Sequence, residues 1–286
     1  MSKKYLVGIA IFAGFFLIVF LFPPPPLPVQ FLPKKPKRII ALTLGTAEIL
    51  LDLVPKKRII GMHRFAANRS YSNISEQIEG ISLVGTDSEM IISLMPDMIF
   101  VASYTGVDLL NQLKAANVPV IKISSFEKIE DIFQNIKTMG HFVGEPSRAK
   151  SIVQRALDKI KLIQKKIPRN HSPRRLLVLM KGGWVAGSRT SQNELIRLAG
   201  GRNVAAEQGI VNSKRISAEQ IITWNPDTIL VGKSHNSKNG VKNIILSKRI
   251  YAPLRKKKII EISQSHLTNV SQYIVEGLQD LVEELY

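Results

Sequence analysis

The side chains that could do chemistry in this chain are few and scattered. Cysteine is absent, which excludes disulfides, thiolate metal sites, a cysteine nucleophile and an acylated-cysteine lipid anchor. Of the five histidines, His63, His235 and His266 each follow an apolar, strand-like run. Imidazole can ligate haem iron or a free transition metal, so these three are the candidate metal ligands. No two histidines stand at close HxxH-type spacing, so a bare ion is the weaker version. His141 and His171 read as surface or packing residues. Thr43, Thr46, Arg64, Tyr71, Tyr104, Lys181, Trp184 and Arg189 also fall just after strand-like runs, and Gln264 stands beside His266. In open parallel sheets, ligands meet the loops beyond the carboxyl ends of the strands. Aromatic and cationic groups there suit a large, flat, partly anionic ligand, held by stacking and charge-assisted contacts. Trp184, Tyr104 and Arg189 lead that set. Enzyme signatures are missing: there is no GxSxG elbow, no GxGxxG after a strand and no HExxH. Gly182-Gly183 and Gly200-Gly201 fit a turn and a helix C-cap. Neither catalysis nor a resident cofactor is expected.

The elements that must position these groups are organised around a repeat. EMIISLMPDMIFV, residues 89–101, recurs as EQIITWNPDTILV, residues 219–231, with seven of thirteen positions identical and no gap. A Glu opens a short apolar helix, where a carboxylate suits the positive helix end. Pro stops the helix, and a β-branched run then reads as a buried strand. Two similar α/β lobes follow from the duplication.

In the first lobe, RIIAL (38–42), RIIGM (58–62), residues 98–102 and VPVIKIS (118–124) read as strands. Residues 48–53, 107–116 and 126–142 read as helices, with Thr46 as N-cap of the first. Residues 147–167 form the longest helical pattern of the soluble part, with Pro146 near its start and Pro168 at its end. The second lobe restarts at RRLLVLM (174–180). A helix over 193–198 capped by Thr190 or Ser191, a helix over 241–246, the strand 258–263 and a helix over 270–285 follow. Alternation at this period predicts parallel sheets with helices on both faces.

The net charge of +18 is unevenly placed. Residues 37–145 carry 11 basic and 12 acidic residues, whereas residues 146–286 carry 25 and 10. Aromatics are few and no nucleic-acid motif is present, so a nucleic-acid partner is not expected. A solvated basic surface, or attraction to anionic lipid headgroups, accounts for the excess. At the N-terminus, Lys3 and Lys4 precede an uncharged apolar run, residues 5–22, with no small-residue cleavage site after it. Eighteen helical residues span about 27 Å, close to the bilayer core. The run therefore reads as an uncleaved anchor rather than a signal peptide, with its leading lysines in the cytoplasm. A Pro-rich spacer follows. The expected organisation is an anchor (1–22), a spacer (23–37), a first α/β lobe (38–145), a connecting helix (146–168) and a second α/β lobe (169–286).

The strand, the TLGTAE turn, the first repeat unit, one long helix, ELIRLAGGRNV (194–204) and ISAEQIITWNPDTILV (216–231) come in an order that resembles a known family. It is the helical-backbone, class III substrate-binding proteins of ABC importers, which serve vitamin B12, haem and iron–siderophore complexes. The resemblance covers residues 37–286 and implies two Rossmann-like lobes joined by one long helix, with a ligand cleft between them. It implies a small-molecule ligand, a metal chelate, delivered to a permease dimer with a cytoplasmic ATPase. It also implies that Glu89 and Glu219 pair with arginines of the two permease subunits. Such proteins are secreted or lipid-anchored, and this chain departs from them by its apolar N-terminus and lack of a lipidation cysteine. The expected location is the periplasmic or extracytoplasmic face, anchored to the inner membrane. A membrane-anchored sensor or scaffold on the same fold is the alternative, as is binding of a bare transition-metal ion.

Overall fold

Each repeat unit folds the same way, for a reason that lies outside the thirteen residues. In a computed structural model of the chain, which describes residues 35–123, 126–233 and 240–286, the first unit forms a helix, Ser88–Ser93, and the second a helix, Ala218–Trp224. Asp87 and Ser217 cap them. Before each Pro the chain enters the left-handed region, at Met95 (φ 48°) and Asn225 (φ 49°). The Asp after each Pro then holds the start of the strand that pairs alongside: Asp97 accepts from the Arg38 amide at 2.9 Å, and Asp227 from the Arg175 amide at 2.9 Å. Both arginines turn back to donate to the carbonyls at the helix end. Arg38 bonds Leu94 and Met95, and Arg175 bonds Trp224 and Asn225. These are the orphan carbonyls that every helix leaves.

The first sheet is fully parallel, in the order β3-β2-β1-β4-β5. Its strands are β1 (Ile39–Ala41), β2 (Ile59–His63), β3 (Ser82–Val84), β4 (Met98–Ala102) and β5 (Val120–Ile123). β1 and β4 are buried throughout, as strands covered on both faces must be. β3 escapes sequence reading because it is only three residues long, with one buried. The first helix spans Leu44–Leu53, four residues longer than expected. Its N-cap is Thr43, and Thr46 is the reciprocal member of the capping box. The helix expected from residue 126 begins at Ile129.

The second sheet is parallel at its centre, as expected, and carries an antiparallel edge. β6 (Arg175–Met180), β10 (Thr228–Lys233) and β11 (Lys258–Ser263) are parallel neighbours, and the short β8 (Arg202–Asn203) adds to β6. β7 (Trp184–Ala186) and β9 (Ser213–Arg215) run antiparallel on the other side. The sign was in the sequence: Gly182 and Gly183 both take positive φ, 79° and 81°, and turn β6 straight back into β7.

The connecting helix is Pro146–Gln164, starting one residue earlier and ending three earlier than expected. Its buried stripe is Ala149, Ile152, Val153, Ala156, Ile160 and Ile163. It packs on the Ile129–Phe142 helix and on the last helix, Ile274–Leu285. Other bonds join the two halves directly. Glu48 is fully buried and carries no cation. It accepts from the Asn73 amide (3.0 Å) and side chain (2.9 Å), from Asn269 Nδ2 (2.9 Å) and from Ser271 Oγ (2.7 Å). Gln272 donates to the Glu48 carbonyl and to Asp52. Burial raises the Asp52 carboxyl above its usual range and, with the Asp52 and Glu48 charges, pushes the Tyr273 phenol up to about 12. Buried Glu194 receives the Ile129 amide at the start of a first-half helix. All described residues belong to one compact unit, Pro33–Tyr286. The apolar run 5–22 lies outside them, and no helix among the described residues is long and apolar enough to cross a membrane.

Candidate ligand cleft

A cleft of about 730 Å3 opens at the carboxyl ends of β6, β10 and β11. The second half supplies most of its wall: Leu179, Met180, Lys181, Trp184, Ser213, Gly232, Val241, Gln264 and Thr268. Tyr71 reaches in from the first half. The glycine turn after β6 presents Trp184, which is 45% exposed. Near the end of β10, Gly232 leaves room for the Gln264 side chain, which a Cβ there would displace. Tyr71 closes a row of rings that starts at the end of β2: His63 to Phe65 at 5.1 Å, then Phe65 to Tyr71 at 6.1 Å. Phe65 is half-exposed and was missed by sequence reading; its signal was an apolar ring in a polar loop directly after a strand. The wall combines two aromatic rings, one ammonium, hydroxyls and an amide, and carries no carboxylate among the described residues. It suits a flat ligand with negative groups at its edge.

Three of the sequence-selected residues, Tyr71, Lys181 and Trp184, meet in this cleft, with Gln264. Others do not. The Thr43 and Thr46 hydroxyls bond each other at 2.9 Å inside the helix cap and are buried. Arg189 is committed to Glu127 by a bidentate pair, 2.9 and 2.7 Å. That pairing holds the Glu127 carboxyl below its usual range, and the Arg189 backbone is left-handed at φ 59°. Tyr104 is 74% exposed outside the wall, and Arg64 is exposed likewise.

The histidines do not converge among the described residues. His63 Nδ1 accepts from the Phe65 amide, capping the turn Arg64–Ala67. Burial and then the Arg64 charge lower its pKa, which keeps the acceptor neutral. His266 lies in the short helix Gln264–Leu267 and turns away from the cleft. Gln264 and Thr268 are four apart and share the cleft side, whereas His266, two from each, meets Asp280 Oδ2 at 2.6 Å. His235 lies outside the described residues. No group of three His, Asp or Glu that could hold a metal occurs among the described residues. His171 is a packing residue, bonded to the Pro168 and Gly200 carbonyls and edge-on to Tyr286. Glu89 and Glu219 are both exposed at the second position of their helices.

Two α/β sheets, one long helix between them in sequence and a cleft beyond the strand ends define a solute-binding protein. The chain belongs to the periplasmic binding protein family, which matches residues 39–265, and is a substrate-binding component of an ABC importer. It is 23% identical over 266 residues to the uncharacterized ABC transporter substrate-binding lipoprotein YvrC of Bacillus subtilis, covering 88% of this chain and 81% of that protein. It is 21% identical to a cobalamin-binding protein of Halobacterium salinarum, covering 86% of this chain and 69% of the other. Among solved structures, the periplasmic heme-binding protein RhuT from Roseiflexus sp. RS-1, in apo form, superposes with a TM-score of 0.76 at 25% identity, over 87% of this chain and 98% of that one.

Proposed function

We propose that the cleft captures a metal chelate, a cobalamin, a haem or a ferric siderophore, and that the protein hands it to a permease dimer driven by a cytoplasmic ATPase. The observation that carries this reading is the wall itself. Tyr71 and Trp184 offer ring faces, Lys181 offers a cation, and no carboxylate opposes an anionic ligand among the described residues. The similar cobalamin-binding and heme-binding proteins support the same class. The protein acts by binding, not by catalysis, and the ligand is cargo rather than a cofactor. The working division remains two α/β lobes, 38–145 and 169–286, around a connecting helix, on the extracytoplasmic face and tethered through residues 5–22. The chain has only two tryptophans, so quenching of Trp184 emission can be followed directly. Titration of the full chain with cyanocobalamin, haemin and a ferric siderophore should reveal one saturable ligand. Tyr71→Ala, followed by the same quenching, and Trp184→Ala, followed by calorimetry because its reporter is gone, should each raise the Kd by about tenfold, the worth of one stacking contact. Saturation by none of the three, or unchanged Kd in both variants, would refute the assignment.

A further inference from the structure

We propose that the protein bears two membrane-contact shoulders, one beside each repeat helix, built to rest on anionic phospholipid headgroups. On the first half, the Ser88–Ser93 helix carries Glu89 at its start, and a shallow groove of about 580 Å3 opens at its end, lined by Arg38, Lys56, Lys57 and Leu94. Met95 stands there, 72% exposed. Exposed Lys35 and Lys37 flank Pro36, whose carbonyl is held by Arg58 at 2.8 Å. On the second half, the 3-10 segment Arg249–Lys256 packs on the Ala218–Trp224 helix, with Tyr251 and Leu254 sharing a core cluster with Ile221 and Trp224. Lys248, Arg249 and Lys256 are exposed on or next to this segment, as are the apolar side chains of Ile250 (48%) and, in the preceding helix Val241–Ser247, Leu246 (44%).

Both surfaces therefore combine an uncovered apolar side chain with surrounding lysines and arginines. Lys56, Lys57, Lys248, Arg249 and Lys256 form no ion pair among the described residues. Apolar tips set among cations are the composition that settles at a headgroup boundary. The chain itself sets the reach. The twelve residues 23–34 between the apolar run and Lys35 can span at most about 43 Å, so a membrane-embedded run keeps the first shoulder near the lipid surface. The proposal uses the reading of Glu89 and Glu219 as docking residues only to say which side of the protein meets the membrane.

Because the chain has no cysteine, Met95→Cys, Ile250→Cys and Val107→Cys each accept one fluorophore; Val107 is the control, 69% exposed at the start of the helix Val107–Ala115 with acidic Asp108 beside it. The full chain is mixed with vesicles of phosphatidylcholine alone, or with about one third phosphatidylglycerol, containing a spin-labelled lipid quencher. We expect quenching at positions 95 and 250 but not at 107, only with phosphatidylglycerol, and lost in about 0.5 M salt. Lys56→Gln with Lys57→Gln should lower the apparent lipid affinity of the position-95 probe roughly fivefold per lysine. Quenching that is equal at all three positions, or equal in the two lipids, would overturn the proposal. No permease is present, so a failure of the docking reading would show elsewhere, in transport assays, and not here.

Discussion

Glu48 is satisfied entirely by neutral donors: two from Asn73, one from Asn269 and one from Ser271. All four point at a group that can only accept. A carboxamide would turn two N–H donors toward those same donors. Glu48→Gln should therefore destabilise the protein by about 2 kcal/mol, the cost of leaving buried donors unmade. A lower urea midpoint with an unchanged slope is the expected result; an unchanged midpoint would mean that the network contributes nothing. Sequence reading saw this Glu only as the end of a turn motif and the start of a helix, because its partners are some 25 and more than 200 residues away. The same limit explains Thr43, Thr46, Arg189 and His266. Each falls after a strand, as a ligand contact should, but a neighbour across the fold or in the cap had already taken its polar atoms. Tyr71, Lys181 and Trp184 do line the cleft, since a place on its wall needs only a loop that follows a strand.

At the scale of elements, the repeat was legible because its signals are local. The Pro and the apolar run act within the thirteen residues, although the bonds that each Asp accepts come from Arg38 and Arg175, far along the chain. Its strands lie where the β-branched runs put them, and 258–263 matches residue for residue. β7, β8 and β9 were not legible, being two or three residues long with little alternation. The two repeat helices also carry the docking expectation. Asp87 and Ser217 already cap them, so neither Glu is needed as a cap. In Glu219, hydrogen bonds to its own backbone amide and to Ser217 lower the carboxyl pKa, which keeps it charged. We predict that Glu89→Arg with Glu219→Arg leaves the melting temperature within about 2 °C and ligand Kd unchanged, while abolishing stimulation of the partner ATPase. Full stimulation by the double variant would remove the docking role. Loss of ligand binding would put the two carboxylates in the cleft instead.

For the whole molecule, the signals that bear on place are charge and hydropathy. The basic excess of residues 146–286 and the apolar run 5–22 both bear on where the protein works. If that run is an uncleaved anchor, N-terminal sequencing of the mature protein should begin at or near Met1, and the protein should fractionate with membranes. A chain beginning after Pro26 and recovered in the soluble fraction would refute the anchor. What the sequence could not show is how firmly the two halves are joined. The connecting helix was plain, but the Glu48, Glu127 and Glu194 bonds, which also cross between them, were not.

The Glu48 network has a temporal side as well. Its carboxyl sits in the first helix to be synthesised after β1, yet two of its four donors are Asn269 and Ser271, among the last eighteen residues. Val270 also packs against Gly45 at the start of that helix. A growing chain thus makes the lock early and its key last. Until residue 271 is available, the Glu48 carboxyl lacks two of its four donors. A chain threaded through a translocation channel from its N-terminus would stay incompletely closed until nearly all of it had passed.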